Sequence, residues 1–245
     1  MDFVFVHGGG QGSWTWQEVI AALDRQEPGA HRCLALDMPG CGTKRGRDTS
    51  AISHGEAIAA LADEVATAGL VDPVLVGHSQ AGTVLPGLVA AAPGRFARAI
   101  YVSCLAPVAG VTVRATVDQV HAAPEAPAHG IYRNPEVPPR VQWHTMFCND
   151  MPPARAETFL DRLGHDVWPE SSQVWTDWRY DHLGGLPATY VLCLEDRALP
   201  AEAQEAFARR LGCERTVRVD CGHQIQQTRP HALAEILRQE ARPDQ

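Results

Sequence analysis

The segment Pro73-Val-Leu-Val-Gly77-His78-Ser79-Gln80-Ala81-Gly82 decides the predicted fold. Its first four residues are apolar, as in a strand that is buried on both faces, and a predicted helix, 80–92, follows Ser79 directly. A serine in the strained turn between a strand and a helix forms a nucleophile elbow when the residues two positions away on either side are small. Gly77 and Ala81 satisfy that spacing, so we predict that Ser79 stands at the end of a strand as a nucleophile.

Short apolar segments alternate with amphipathic ones along most of the chain. The predicted strands are Asp2–Val6, Arg32–Leu36, Pro73–Val76, Ala99–Cys104, Thr189–Leu194 and Thr216–Val219. The predicted helices are Trp16–Arg25, Ile52–Ala68, Gln80–Ala92, Glu202–Leu211 and Pro230–Arg238. Ser53 and Glu56 are spaced as a capping box for the second helix, and Pro86 is expected to bend the third. The alternation predicts the α/β class, with a mostly parallel central sheet flanked by helices.

The alternation breaks once, between Cys104 and Thr189. Residues 108–187 contain nine of the 18 prolines and four of the six tryptophans, so their composition differs from the rest. A structureless loop of this length is implausible inside a compact domain. We therefore predict a core formed by residues 1–107 and 188–245. Residues 108–187 are predicted to form an inserted, partly helical lid over the carboxyl ends of the strands, where open α/β sheets bind ligands.

Composition and charge exclude several function classes. The 245 residues carry a formal charge of −8, so nucleic acid and membranes are not expected as partners. No apolar run approaches the roughly 20 residues that cross a bilayer, and the features of a signal peptide are missing, which predicts a cytoplasmic location. The seven cysteines include no CxxC pair. We expect neither a metal nor a cofactor, and the sequence does not indicate an oligomeric state.

A serine hydroxyl is a poor nucleophile unless a base, and a group that orients this base, lie nearby. In enzymes with a nucleophile elbow the chain order is serine, acid, histidine. His223 follows the last predicted strand, and Asp196 follows the strand before it. An acid one strand earlier is an alternative, but no carboxylate follows Cys104 until Asp118. We therefore favour Asp196 as the acid and His223 as the base for Ser79.

Two backbone amides are needed to stabilise a developing oxyanion. The N–H of Gln80 stands at the start of a predicted helix, where it would point at that oxyanion. A second donor is expected from the loop after the first strand, His7-Gly-Gly-Gly-Gln-Gly-Ser-Trp-Thr-Trp16, because its glycines allow close approach. A dinucleotide-binding loop is disfavoured, since Ser13 replaces the third glycine of GxGxxG. His7 and His78 are predicted to have structural roles.

Taken together, these segments resemble the α/β-hydrolase superfamily, and within it the small-lid group of plant methyl esterases, hydroxynitrile lyases and related bacterial esterases. The matching segments are HGGGQGSWTW (7–16), LDMPGCG (36–42), GHSQAG (77–82), YVSCLAP (101–107), FCNDMPP (147–153), TYVLCLEDRALP (189–200) and DCGHQ (220–224). They follow the family's order over nearly the whole chain. The resemblance implies that Asp196 is the acid and that the amides of Gly9 and Gln80 bind the oxyanion.

The resemblance implies a cofactor-independent serine hydrolase that cleaves a small or medium carboxylic ester or lactone through an acyl-enzyme. Two alternatives remain. The first is a hydroxynitrile-lyase-like or C–C bond-cleaving enzyme, but Gln224 stands where the lyases carry Lys, and Gly8 where they carry Thr. The second is a non-catalytic ligand-binding protein of the same fold, against which the retained set of Ser79, Asp196 and His223 argues.

Overall fold

Six parallel strands form a single sheet in the computed structural model, which describes residues 1–242. The strands are β1 (Asp2–Val6), β2 (Arg32–Leu36), β3 (Val74–His78), β4 (Arg98–Val102), β5 (Ala188–Cys193) and β6 (Arg215–Val219). Their order across the sheet is β2-β1-β3-β4-β5-β6, and each neighbouring pair is parallel. The predicted α/β class with a parallel central sheet is therefore confirmed. The end of the predicted core range, residues 243–245, lies outside the described residues.

Helices cover both faces of the sheet. The α-helices of the described residues are α1 (Gln17–Gln26), α2 (His54–Thr67), α3 (Leu85–Ala91), α4 (Val113–Val120), α5 (Pro139–Phe147), α6 (Pro153–Leu160), α7 (Glu170–Val174), α8 (Ala201–Arg210), α9 (Ile225–Thr228) and α10 (Pro230–Glu240). Helices α2, α3 and α8 pack on one face, and α1 and α10 on the other. Over residues 1–242, no helix has the length and apolar character that crossing a membrane requires.

Strand β1 shows why the central strands are continuously apolar. Val4 and Val6 belong to one apolar cluster, whereas Phe3 and Phe5 belong to the cluster on the opposite face. Successive side chains of a strand point to opposite faces, so a strand with helices on both sides needs apolar residues at every position. Trp16, fully buried, fixes the chain before α1 to the sheet through its ring, 5.0 Å from that of Phe5.

The starts of α2 and α3 can be compared with the local sequence signals, a capping box and a proline. The capping box of Ser53 and Glu56 is present at the start of α2, as predicted. The predicted helix 80–92 instead consists of a 3-10 turn, Ser79–Thr83, followed by α3. Pro86 lies in the first turn of α3, where its missing N–H has no helical partner to lose. The predicted start of this α-helix at Gln80 is therefore wrong, and Pro86 lies at the start of α3 rather than in its middle.

Helices α4 to α7 all lie between β4 and β5. Side chains of α6 and the segments around it form an apolar cluster of their own with Trp14. Trp14 thus contacts this inserted segment, with its ring 6.0 Å from the ring of Phe159. The boundaries 108 and 187 of the predicted lid stay predictions.

Asp166 ties the inserted segment to the rest of the molecule. Its carboxylate is almost fully buried and accepts hydrogen bonds from the Trp14 indole (2.9 Å), the Gly42 N–H (2.8 Å) and both sides of the Arg45 guanidinium (2.9 and 3.0 Å). Burial by itself raises the pKa of Asp166, but these hydrogen bonds outweigh it and leave the pKa below the ordinary 3.8. The ionised form therefore stabilises the fold.

We expect Asp166→Asn to lower the free energy of unfolding by about 2 kcal/mol, because buried donors lose their acceptor, and the melting temperature by about 5 °C. Asp177→Asn is the matched control, since its pair with Arg179 is exposed on both sides and such pairs contribute little. Urea and thermal unfolding measure both variants. Equal stability of the two variants would contradict a role for Asp166 as an anchor.

The effect of Asp166→Asn should depend on pH. The folded-state pKa of Asp166 lies below its unfolded value, so its contribution is present above the unfolded pKa and is lost as the pH falls through the folded one. The difference in stability between the wild type and Asp166→Asn should therefore shrink as the pH is lowered from about 6 to about 3. A constant difference over this range would argue that the carboxylate charge plays no part.

Candidate active site

Ser79 occupies a strained turn at the end of β3. Its backbone φ is +54°, in the left-handed region that few non-glycine residues adopt. The surrounding chain passes too closely for larger residues. A Cβ on Gly77 would lie 2.7 Å from Leu85 Cδ1 and 3.0 Å from the Ala81 methyl, and a Cβ on Gly82 would overlap the Leu105 carbonyl. The small residues of the predicted elbow are therefore required sterically.

The three residues predicted to act together lie in hydrogen-bond contact. His223 Nε2 is 2.9 Å from Ser79 Oγ, and His223 Nδ1 is 2.6 Å from Asp196 Oδ2. A carboxylate can only accept, so Nδ1 carries the proton and Nε2 is free to accept the Ser79 hydroxyl proton. These residues follow three different strands, β3, β5 and β6, whose carboxyl ends meet at the same edge of the sheet.

The Asp196 carboxylate is held by four donors. Its Oδ1 accepts the N–H groups of Ala198 (2.7 Å) and Leu199 (2.8 Å). Its Oδ2 accepts His223 Nδ1–H and also the Ser103 hydroxyl, at 2.5 Å. The neighbouring Glu195 side chain is exposed instead. Of the two adjacent carboxylates, only Asp196 reaches the histidine.

Ser103 is a site residue that the sequence reasoning missed. It is fully buried directly after β4, with φ at +41°, and its Oγ stands 3.3 Å from His223 Nδ1 as well as 2.5 Å from Asp196. The end of the strand before β5 was the alternative position for an acid, and it carries a hydroxyl group instead of a carboxylate. The position at a strand end was the available signal.

His78 supports His223 from behind. Its Nε2–H donates to the His223 carbonyl at 2.9 Å, and its Nδ1 accepts from Gln226 Nε2 at 3.2 Å. Burial, reinforced by neighbouring His223, holds the pKa of His78 well below 6.5, which keeps it in the neutral form that these two bonds require. Gln226 also donates to Gln224 Oε1 at 2.7 Å. The Gln224 side chain thus belongs to this structural network.

Two adjacent residues of the inserted segment hold the loops of both Asp196 and His223. Asn149 Nδ2 donates to the Glu195 carbonyl at 2.9 Å, and Asp150 Oδ2 accepts the Gly222 N–H at 2.9 Å. The contact is so close that a Cβ on Gly222 would lie 2.5 Å from Asp150 Oδ1. These contacts join segments far apart in the sequence, so no local pattern indicated that either residue supports the site.

A cavity of about 230 Å³ opens at Ser79 and His223. Its lining residues are Gly9, Gly10, Gln11, Ser79, Gln80, Leu105, Val113, Val117, Tyr132, Met146, Phe147, Ala198, Leu199 and His223. Gly9 and Gln80, the predicted oxyanion residues, both line it. The Phe147 ring lies 5.4 Å from the His223 ring. Within residues 1–242 no group of three or more His, Cys, Asp or Glu side chains is arranged to hold a metal ion.

His7 fixes the first-strand loop. Its Nδ1–H donates to the Gly8 carbonyl at 2.8 Å, and its Nε2 accepts the Met38 N–H at 3.2 Å. Burial lowers the pKa of His7, so the neutral ring holds the loop rather than acting on a ligand. Asp37 receives the N–H and hydroxyl of Ser13, at 2.6 and 3.0 Å, and steadies the far end of the same loop.

The aromatic residues of the inserted segment have separate roles that the sequence could not assign. Tyr132 and Phe147 line the cavity. Trp168 packs against His7, and Trp178 packs against His54. Trp143 belongs to the cluster around α6, and Trp175, which is 36% exposed, lies with its ring 5.2 Å from that of His54. The histidines of this segment at 144 and 182 are both exposed and do not line the cavity.

Comparison with known proteins places this geometry in a family. The model of the alpha/beta hydrolase family matches residues 3–236. A probable esterase of Oryza sativa subsp. indica, PIR7A, is 37% identical over 118 residues, which are 48% of this chain and 44% of that protein. The chain thus matches less than half the length of this relative. Polyneuridine aldehyde esterase of Rauvolfia serpentina is 22% identical over 255 residues, covering 96% of this chain and 93% of that protein.

Solved structures agree in fold. An extracellular alpha/beta-hydrolase from a Paenibacillus species, described as sharing structural and functional homology with tobacco salicylic acid binding protein 2, superposes with a TM-score of 0.78 at 20% identity. The superposition covers 99% of this chain and all of that one. The family match over nearly the whole chain, the shared fold and the serine at a strained elbow together show that this chain belongs to the alpha/beta hydrolase family.

Proposed function

We propose that this protein is a serine hydrolase that cleaves a small or medium carboxylic ester or lactone through an acyl-enzyme. The observation that carries the proposal is the unbroken hydrogen-bond path from Ser79 through His223 to Asp196, at 2.9 and 2.6 Å. Its geometry matches the requirement that a nucleophile contact a base and that a third group orient the base.

The first half of the proposed reaction forms the acyl-enzyme. As Ser79 Oγ attacks the ester carbonyl carbon, its proton passes to His223 Nε2. Asp196 keeps the other nitrogen of His223 protonated and stabilises the imidazolium. The N–H groups of Gly9 and Gln80 stabilise the negative oxygen, each by roughly 3–4 kcal/mol. When the tetrahedral intermediate collapses, the His223 proton goes to the departing alcohol oxygen.

The second half releases the acid. Water enters at the vacated alcohol position, His223 Nε2 takes one of its protons, and the hydroxyl adds to the acyl carbon. The second tetrahedral intermediate returns its electron pair to Ser79 Oγ, which recovers the proton from His223. With a lactone the freed hydroxyl remains attached to the acyl chain. No cofactor takes part in any step of this proposal.

Two observations favour ester hydrolysis over lyase chemistry. Gln224 is neutral and hydrogen-bonded to Gln226, and it does not line the cavity. Among the described residues, the cavity lining includes no Lys or Arg to receive a departing anion. The names of the relatives, a probable esterase and polyneuridine aldehyde esterase, point in the same direction. A cytoplasmic location and the lack of nucleic-acid and membrane partners stay predictions.

A phosphonate probe and two substrates test the proposal. A fluorophosphonate should add to the folded protein once, at Ser79, because only an activated serine attacks it. The wild type should release nitrophenol from p-nitrophenyl acetate faster than cyanide from mandelonitrile, and Ser79→Ala should abolish the former. Faster cyanide release would favour the lyase alternative. Failure of labelling, with no turnover of either compound, would favour a ligand-binding protein.

The acid is tested by a pair of adjacent amide substitutions. Asp196→Asn should lower kcat by about 10⁴-fold, because the amide stabilises the wrong His223 tautomer. Glu195→Gln is the matched control and should change kcat only a few-fold, since its side chain is exposed. Circular dichroism checks that both variants fold. The reverse ranking of the two variants would contradict the assignment of Asp196.

Ser103 is tested by removal and by rescue. Ser103→Ala should lower kcat roughly tenfold, because Asp196 loses one of two donors to Oδ2, whereas Ser50→Ala at an exposed site should not. On the Asp196→Asn background, Ser103→Asp should recover at least tenfold in kcat. The new carboxylate would stand near His223 Nδ1, now 3.3 Å from Ser103 Oγ. No recovery would show that Ser103 does not occupy a second position for the acid.

A further inference from the structure

A second hollow, of about 250 Å³, lies apart from the cavity at Ser79. Its lining residues are His54, Gly55, Ile58, Thr83, Pro86, Gly87, Ala90, Trp175, Asp177, Trp178, Arg179, Tyr180 and His182. None of these residues lines the cavity at Ser79. They come from α2, from the 3-10 turn and α3, and from the inserted segment. We call it the aromatic hollow, because two tryptophans, a tyrosine and two histidines line it, and the proposed ester hydrolysis does not use it.

Trp175 presents ring surface to the aromatic hollow. The residue is 36% exposed, whereas Trp16 and Trp168, which pack in the core, are 0% and 3% exposed. The His54 ring lies 5.2 Å from the Trp175 ring at an interplanar angle of 32°, so it covers part of one indole face. The indole N–H donates to the Asp177 carbonyl at 3.1 Å. A ligand at Trp175 therefore meets an apolar ring whose polar atom already has a partner.

The other rings of the aromatic hollow are fixed in the same way. Trp178 Nε1–H, the Tyr180 hydroxyl and His182 Nε2–H each donate to a backbone carbonyl, at 2.7, 2.9 and 2.8 Å. Burial lowers the pKa of His54 to about 4, so this ring is uncharged at neutral pH. The walls are therefore rings that the backbone holds in place, and a wall that is already ordered lowers the entropic cost of binding.

Charge at the aromatic hollow is confined to one ion pair. Asp177 Oδ1 accepts from Arg179 Nε at 2.8 Å, and both side chains are largely exposed. Among the described residues, no other Asp, Glu, Lys or Arg lines the aromatic hollow. A charged ligand would lose its hydration there without gaining a free counter-ion. The lining therefore favours a ligand without charge.

The size of the aromatic hollow favours a small molecule over a protein segment. At about 30 Å³ per water-sized group, a volume of 250 Å³ holds roughly eight such groups, which is close to one or two fused rings. A stable protein partner covers about 800 Å² on each side, around an apolar centre. Here the exposed pair of Asp177 and Arg179 stands in the lining itself and interrupts the apolar surface.

We propose that the aromatic hollow binds an uncharged, planar aromatic molecule of one or two fused rings, which stacks on Trp175. Aromatic rings attract each other in offset-stacked and edge-to-face arrangements. The walls offer rings in both orientations, since the His54 ring stands at 32° to the Trp175 ring and at 81° to the Trp178 ring. A saturated ring of the same size would gain burial alone. The site does not involve Ser79, so the proposal is independent of the proposed ester hydrolysis.

The test follows the tryptophans by fluorine NMR in protein that contains 5-fluorotryptophan. No tryptophan lines the cavity at Ser79, so a saturable shift of the Trp175 signal reports binding in the aromatic hollow. 2-Naphthol, which is uncharged at pH 7, should produce this shift and leave the signal of the fully buried Trp16 unchanged. Decahydro-2-naphthol has the same carbon skeleton without aromatic rings. Its Kd should be about fivefold higher, because it cannot stack.

Two replacements of Trp175 separate the effect of the ring from that of its bulk. Trp175→Leu removes the ring and should raise the Kd of 2-naphthol about fivefold, as measured on the Trp178 signal. Trp175→Phe keeps a ring and should change this Kd by no more than about twofold. Val167→Ala is the matched control, because it removes another exposed side chain of the inserted segment, and it should leave the Kd unchanged. An unchanged Trp16 signal checks that each variant is folded.

Three results would overturn the inference: no saturable shift of the Trp175 signal in the wild type, equal Kd values for the two alcohols, or an unchanged Kd in folded Trp175→Leu. Tighter binding of 2-naphthoate or 2-naphthylmethylammonium than of 2-naphthol would show that the ligand carries a charge, against the proposal. All of these results leave ester hydrolysis in place, because fluorophosphonate labelling of Ser79 tests it separately.

Discussion

The backbone of Ser79 is held at φ +54°, a conformation that costs a non-glycine residue about 1–3 kcal/mol, and the neighbouring structure must supply that energy. It does so by packing. Gly77 lies against Leu85 and Ala81, and Gly82 lies against the Leu105 carbonyl, so closely that a Cβ at either position would clash. The sheet, buried from both sides, is the rigid base that this turn needs. The direction of the Ser79 hydroxyl is therefore set by the core rather than by a flexible loop.

The loops that carry Asp196 and His223 are held in place by hydrogen bonds. Asp196 is fixed by N–H groups of its own loop and by Ser103 at the end of β4. His223 is fixed through its carbonyl by a neutral His78. Asn149 and Asp150 then connect both loops to the inserted segment. This segment contributes to the geometry of the site as well as to the cavity wall, so its attachment through Asp166 bears on the chemistry.

The two sides of the site differ in polarity. Behind Ser79 and His223, the neutral side chains of His78 and Gln226 are hydrogen-bonded to each other, so they hold the shape of the site without competing for the proton that moves. In front, the lining of the cavity is mostly apolar and contains no Asp, Glu, Lys or Arg.

The sequence by itself determined the strands, the elbow and the identity of Ser79, Asp196 and His223 as residues that meet. Burial on both faces imposes continuous apolar runs on β1 and β3, and the close approach at the elbow imposes Gly77; both are local requirements that leave a local pattern. The start of α3 was misjudged, because a 3-10 turn occupies the first residues of the predicted helix. Ser103 left only its position at a strand end as a signal, and Asn149 left none, since their roles arise from contacts between segments distant in the chain. Only the tertiary structure, by bringing those segments together, decided which side chains support Asp196 and His223.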